Sequence, residues 1–331
     1  MSQKPIGIIV NPKSGKDVRR IVSHASTITN FEKVNILKRI LLGIIATGAR
    51  WVVYMPDSKD LVGNAFRLID NKDGLNVSPL NIPIVGNEKD TISATEQMVK
   101  IGVGVIITLG GDGTNRLVAK TTNNVPIVPI STGTNNIFPK FIEGTKAGLA
   151  AGISLNTIEN EKDKNNLCLQ AKMIQVEYNG SYDNALIDFA ISSSIHLGSR
   201  ALWNPENLRH LFVTQATTGA IGLTGIVGSV MPISKYDSFG AYAKLGNKKF
   251  VKAILASGSV NKVGIDSVEK IDIGIQKKLY LKQGSLWADG EKLTIINESE
   301  ITVSVIKEGP RILNLKSLFK LAVRNGLLCP N

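Results

Sequence analysis

The sequence predicts an α/β fold: an N-terminal domain built on a doubly wound parallel sheet, followed by a β-rich C-terminal domain. Three observations carry this. Apolar runs of strand length alternate with helix-periodic segments over roughly the first 130 residues. Two of those runs end in polar glycine turns, Gly110-Gly111-Asp112-Gly113-Thr114 and Ser131-Thr132-Gly133-Thr134-Asn135-Asn136. Beyond about residue 140 the pattern changes to strand-length segments joined by short turns.

The elements follow in order. Ile6-Gly7-Ile8-Ile9-Val10 is a buried strand ending at Asn11-Pro12. Val34, Leu37, Leu41, Ile44 and Ile45 recur at helical spacing, which predicts an amphipathic helix over 31–48 stopped by Gly48. Trp51–Tyr54 is a second strand closed by Pro56-Asp57, and a helix spans 58–70. Ile82-Pro83-Ile84-Val85 reads as a third strand, weakened by its proline. Thr91 is the expected cap of a helix running to Lys100. Strands ending at Leu109 and Ile130 come next. Two adjacent parallel strands with polar glycine loops at their ends make one sheet edge a phosphate-binding crevice.

In the second half, segments 171–178, 185–192, 251–258, 263–275, 277–282 and 301–306 read as antiparallel strands. Asn179-Gly180, Asn247 and Asp289-Gly290 supply turn chemistry. Leu313, Leu315, Leu318, Leu321 and Ala322 mark a closing helix over 312–325. The expected division is 1–140 for the α/β nucleotide-binding domain, 141–310 for the β-rich domain, and 311–331 for a C-terminal helix or return segment.

Composition narrows the function. Of 331 residues, 43% are hydrophobic and 20% charged, enough apolar side chains for a substantial core. The net charge of +12 suits either an anionic partner (a nucleotide, a dinucleotide, an acidic lipid surface or nucleic acid) or simply a solvated surface kept soluble by charge. Aromatic residues are only 5% and no basic run is interleaved with them, which argues against nucleic acid as a partner. The apolar stretch from Gly219 to Ile233 is too short and glycine-rich to insert stably in a bilayer. Cys168 and Cys329 are too few for a disulfide framework, and the opening residues lack a leader pattern, so the expected location is cytoplasmic. His24, His196 and His210 show no metal-ligand spacing. Neither a Walker phosphate loop nor a Gly-x-Gly-x-x-Gly after the first strand occurs, and Ser14, Ser131 and Ser229 lack a nucleophile-elbow context.

The turn at 110–114 has the residues for phosphate chemistry. Glycines let backbone N–H groups approach a phosphate and adopt positive φ. Thr114 is placed to cap the following helix. A carboxylate at Asp112 beside phosphates must hold a metal ion or take a proton from an attacking hydroxyl.

Gly110-Gly111-Asp112-Gly113-Thr114 resembles the hallmark of the superfamily uniting NAD kinases with diacylglycerol and sphingosine kinases. Asn11-Pro12-Lys13-Ser14-Gly15 resembles the Asn-Pro-x-Ser-Gly turn of its lipid-kinase branch. So does the Gly133-Thr134-Asn135-Asn136 loop. Ala185-Leu186-Ile187-Asp188 is similar to the Ala-Leu-Asn-Glu of NAD kinases, with Ile187 in place of the amide. Thr217-Thr218-Gly219 and Gly225 through Pro232 echo a further NAD-kinase segment, and Asp289-Gly290-Glu291 resembles the lipid-kinase Asp-Gly-Glu. Residues 7–20, the Ser-Thr-Gly-Thr-Asn-Asn loop and Gly198–Trp203 resemble most closely the NAD-kinase-like group called acetoin catabolism protein X.

The resemblance implies phosphoryl transfer from ATP to a hydroxyl, assisted by Mg²⁺, with NAD as the acceptor. It implies catalytic roles for Asp112 and Glu291 and a magnesium site at Asp112 and Asp289. Gly110, Gly111, Gly113, Thr114, Asn11, Ser14, Lys16, Gly133, Thr134, Asn135 and Asn136 would bind phosphate or nucleotide. Asp188 would meet a ribose hydroxyl, and Lys16 and Arg200 are candidate phosphate clamps. A homo-oligomer is implied on the same ground. Three readings stay open at this point: an NAD kinase, a kinase for a lipid or other small alcohol, and a nucleotide-binding accessory protein of a catabolic pathway without turnover.

Overall fold

The structure is a computed structural model describing residues 3–15, 28–122, 124–133, 135–195 and 205–328. The first layer alternates strand and helix. Strands β1 (Ile6–Val10), β2 (Trp51–Tyr54), β3 (Asn76–Pro79), β4 (Val105–Gly110) and β5 (Ile127–Ser131) pair in parallel. Between them run α1 (Asn30–Ile45), α2 (Leu61–Arg67), α3 (Glu88–Ile101) and α4 (Asp112–Thr121). β1, β4 and β5 are buried throughout, as the unbroken apolar runs require of strands covered on both faces. Helices α5 (Gly144–Thr157) and α6 (Glu161–Leu167) and strand β6 (Cys168–Gln170) complete this stretch.

Helix α5 packs against α1 at unusually close range. Gly148 is the contact point: a Cβ there would lie 1.9 Å from the carbonyl oxygen of Ile40. The pair buries Leu37, Ile40, Leu41 and Ile44 of α1 with Ala147, Ala150 and Ala151 of α5 in the main α/β core.

The second layer is an eight-stranded antiparallel sheet. Its strands are β7 (Met173–Tyr178), β8 (Ser181–Ala185), β9 (Asp188–Ser192), β10 (Leu208–Val213), β11 (Phe239–Ala256), β12 (Ser259–Asp272), β13 (Gln276–Ala288) and β14 (Glu291–Ile306). They lie in the order β12-β11-β10-β9-β13-β14-β7-β8. A short helix, α7 (Thr224–Gly228), packs on β11. The β7–β8 and β13–β14 hairpins turn at Asn179-Gly180 and Asp289-Gly290. All four residues have φ between 48° and 79°, the backbone of a type I′ turn.

The chain then returns to the first layer. β15 (Arg311–Leu313) pairs parallel to β5 and antiparallel to β6, giving a seven-stranded sheet in the order β3-β2-β1-β4-β5-β15-β6. Helix α8 (Leu315–Arg324) buries Leu318 and Ala322 in the α/β core. The return segment expected after residue 310 therefore belongs to the first layer, and so do residues 144–170. The crossing to the β-rich layer falls at Ala171-Lys172 rather than at residue 140.

Other local expectations change too. The third strand is Asn76–Pro79, not 82–85. Pairing ends where Leu80 donates to Tyr54, and the chain then turns so that the Val85 and Gly86 amides reach the Asp90 carboxylate. Helix α3 is capped by Asn87, and Thr91 lies inside it on the buried face. The predicted 251–258 strand is the second half of an 18-residue strand, β11, in which Asn247 sits at a register shift rather than a turn. β8 and β10 lacked a strong pattern in the sequence.

Candidate functional site

Strand order reverses around β1, which lies between β2 and β4. Such a switch point leaves a crevice beyond the carboxyl ends of the strands. Three loops meet there, leaving β1 at Asn11, β4 at Gly111 and β5 at Thr132. The β-rich layer supplies the facing wall with Asp188, Ile221–Thr224, Leu255 and the 289–291 turn, and the cleft between encloses about 920 Å³. That is ample for a nucleotide.

The loop after β1 is held by side chains. Asn11 Oδ1 accepts from the Lys13 and Ser14 amides, and Ser14 Oγ donates to the Asn11 carbonyl at 2.7 Å. Asn11 Nδ2 donates to Thr114 Oγ1 at 3.0 Å, tying this loop to the glycine turn. Below them Lys33 of α1 is completely buried, and its ammonium donates to the carbonyls of Asn11, Pro12 and Ser14 at 2.9, 3.0 and 2.7 Å. Sequence reasoning missed Lys33. Its signal was position: it shares the buried face of α1 with Leu37, Ile40 and Ile44, where an unpartnered lysine would be costly.

The glycine turn works differently from expectation. Helix α4 begins at Asp112 with Gly111 as its N-cap, so Thr114 lies in the first turn and caps nothing. Gly110, Gly111 and Gly113 all lack positive φ. They are glycines because their neighbours fill the space. A Cβ on Gly110 would sit 2.6 Å from Thr114, on Gly111 2.9 Å from Asn136 Oδ1, and on Gly113 2.6 Å from Glu291 Oε1.

The carboxylates are tethered rather than free. Asp112 accepts from the Phe138 amide at 2.8 Å and from the Ile137 amide at 3.1 Å. Burial, then the neighbouring Asp289, pushes its carboxyl up to about 7. Asp289 accepts from the amides of Leu186, Ile187 and Asp188 at 2.8, 2.8 and 3.1 Å, and burial raises its pKa. The two acids thus approach one another from opposite layers. Arg116 of α4 links the layers further. It is only 3% exposed, pairs with Glu291, and lies 3.5 Å from Asp183, which also meets Lys120 at 3.1 Å. Burial opposes the Arg116 charge, but Glu291, Asp289 and Asp183 more than compensate.

Asn11, Ser14, Gly111, Asp112, Gly113, Thr114, Asn135, Asn136, Asp188, Asp289 and Glu291 all line the cleft. Gly110 and Gly133 are buried and do not line it. Ile187, at 1% exposure, is a core residue and contributes only its amide. Lys16, Thr134, Arg200 and the rest of Gly198–Trp203 lie outside the described residues. Asn30 Oδ1, Thr132 Oγ1 and Thr224 Oγ1 line the same cleft, are buried, and have no hydrogen-bond partner among the described residues. Buried polar atoms left open in a cleft mark positions for ligand contacts. Among the described residues no group of three or more His, Cys, Asp or Glu side chains could hold a metal ion. Of the acids lining the cleft, Asp289 is the one that acts on Asp112. No helix among the described residues is long and apolar enough to cross a membrane.

Comparison with known proteins agrees with this architecture. Residues 6–160 match the ATP-NAD kinase N-terminal domain, and residues 172–308 match the acetoin catabolism protein X C-terminal domain. The two matches meet near the observed crossing at Ala171-Lys172. Acetoin catabolism protein X of Cupriavidus necator is 30% identical over 335 residues, covering 98% of this chain and 93% of that protein. A kinase-type α/β half joined to this β-rich half, aligned over nearly its whole length, places the chain in the acetoin catabolism protein X family.

Proposed function

We propose that the protein transfers the γ-phosphoryl group of ATP to a hydroxyl, with the adenosine ribose of NAD as acceptor. One observation carries the reading: two carboxylates from different layers, Asp112 and Asp289, converge on a cleft whose floor is three loops at the carboxyl ends of parallel strands. The loops at Asn11–Gly15, Gly111–Thr114 and Asn135-Asn136 supply amides and side-chain donors to phosphates. Asp188 faces the same space, where a carboxylate accepts hydrogen bonds from a ribose diol. Asp112 lines the cleft floor, where it is placed to take the proton of the attacking hydroxyl.

The donor set fits Mg²⁺, which binds one or two carboxylates together with substrate phosphates and water. Asp112 and Asp289 would hold it, and when bound it neutralises charge on the transferring phosphoryl group. Glu291 acts through Arg116, keeping the 289–291 turn against α4.

The test is product analysis with Mg-ATP and NAD⁺. NADP⁺ should form, and Asp112→Asn should reduce its formation by at least about a hundredfold, the lower range for loss of a general base. Turnover unchanged in that variant rejects the mechanism. A second reading, a nucleotide-binding protein without turnover, is favoured by the backbone amides that hold both carboxylates. Saturable ATP binding with no product from NAD⁺ or an alcohol panel would establish it instead.

A further inference from the structure

A second cavity lies on the other flank of the 137–138 segment. It encloses about 260 Å³ between β5, β6, β15 and the β-rich layer, and shares only Ile137 with the main cleft. Its charged lining consists entirely of lysines: Lys140, Lys146, Lys172 and Lys235. Much of the remainder is apolar, with Phe138, Leu169 and Ile312 among its walls. We propose that this cavity is a binding site for a small organic anion, a phosphate or carboxylate carried on a short apolar body, with Lys140, Lys172 and Lys235 as the anion's partners.

Lys172 carries the argument. It is 5% exposed, so its ammonium has lost most of its water. Two of its protons go to the carbonyls of Ser234 at 3.1 Å and Phe239 at 2.6 Å, and among the described residues the third has no partner. A buried cation is retained only where negative charge or enough acceptors compensate it. None of the four lysines forms an ion pair with an acidic side chain among the described residues. No acidic side chain lines the cavity itself, and the acids that act on these lysines, Asp237 on Lys172 and Asp112 on Lys140, lie outside its walls. Burial pushes Lys172 down to about 8 although Asp237 partly opposes it, and burial together with Lys235 lowers Lys140 although Asp112 partly opposes it.

Shape limits the ligand. An enclosed volume of 260 Å³ admits an anionic head and a short chain, but not a dinucleotide. The lysines select the head, and the apolar wall selects the body. A free inorganic ion would satisfy the first and leave the second unused.

The experiment is calorimetric titration of the full chain with n-butyl phosphate, inorganic phosphate and n-butanol, each with and without saturating ATP. Saturable butyl phosphate binding is expected, with inorganic phosphate at least about tenfold weaker because it brings no alkyl chain to the apolar wall. Lys140→Gln and Lys235→Gln should each weaken it about tenfold, the effect of removing one charge-assisted hydrogen bond. Both side chains reach solvent, so neither change threatens folding, and Lys140→Arg should restore most of the affinity. ATP should leave the titration unchanged. Competition by ATP would put the anion in the main cleft and overturn the proposal. Insensitivity to the lysine variants, equal binding of inorganic phosphate, or no saturation at millimolar concentration would overturn it as well. None of these readouts depends on phosphoryl transfer, so failure of the kinase reading leaves this result intact.

Discussion

Gly113→Ala isolates what the glycine turn is for. The added methyl would stand 2.6 Å from Glu291 Oε1 and 3.1 Å from Glu291 Cδ. The backbone tolerates the change, because Gly113 lies in the first turn of α4 without positive φ. Glu291 must therefore give way. Its side chain is 34% exposed and can swing out, but doing so breaks the pair with Arg116, whose guanidinium is 3% exposed. Loss of one charge-assisted hydrogen bond costs about 1.5–3 kcal/mol. Better helix propensity returns at most about 1 kcal/mol. The net loss is about 0.5–2 kcal/mol, measurable by urea denaturation. The decisive comparison is the same substitution made in a Glu291→Ala background, where nothing occupies the space. There the alanine should be neutral or mildly stabilising. An equal cost in both backgrounds would show that the methyl does not meet Glu291, and the steric account of this glycine would fail.

Three further outcomes are expected. Lys33→Met leaves three carbonyls of the first loop without their ammonium, so it should destabilise the protein by about 3 kcal/mol and weaken ATP binding; wild-type values in denaturation and ATP titration would contradict the role given to Lys33. Gly148→Ala forces a methyl to within 1.9 Å of the Ile40 carbonyl, so α1 and α5 must separate at about 2–3 kcal/mol, while a melting temperature within error of wild type would refute that contact. His210 lies 2.7 Å from the Tyr242 hydroxyl, and burial, with Lys244 next, lowers its pKa to about 4. The folded state thus binds this proton less readily than the unfolded chain. Stability should be full above about pH 6.5 and fall as pH drops toward 4, by about 2 kcal/mol after allowing for partial exposure; a His210→Gln protein with the same pH profile would exclude His210 as the cause.

The α/β character, the antiparallel second half and the polar glycine loops at one sheet edge were legible in the chain because they depend on local pattern. Unbroken apolar runs such as Val105–Leu109 make strands buried on both faces, and helical spacing from Val34 to Ile45 makes α1. Asn179-Gly180 and Asp289-Gly290 adopt left-handed backbone wherever they occur in a tight hairpin. Elements without strong local pattern escaped: β3 reads Asn-Val-Ser-Pro, and its strand state comes from pairing with β2.

Which contacts each residue of the site makes was decided by the tertiary structure. Asn11 meets Thr114 across 103 positions, and Arg116 meets Glu291 across 175. Gly113 is small because of Glu291, Asp112 is anchored by amides of the next loop, and Lys33 serves a turn nearly twenty positions before it. Which backbone segments could form was written in the chain, since propensity and periodicity act between neighbours in sequence. Which carboxylates share a cleft, which lysines share a cavity and where the layers cross came from folding alone, because steric fit and desolvation act between neighbours in space.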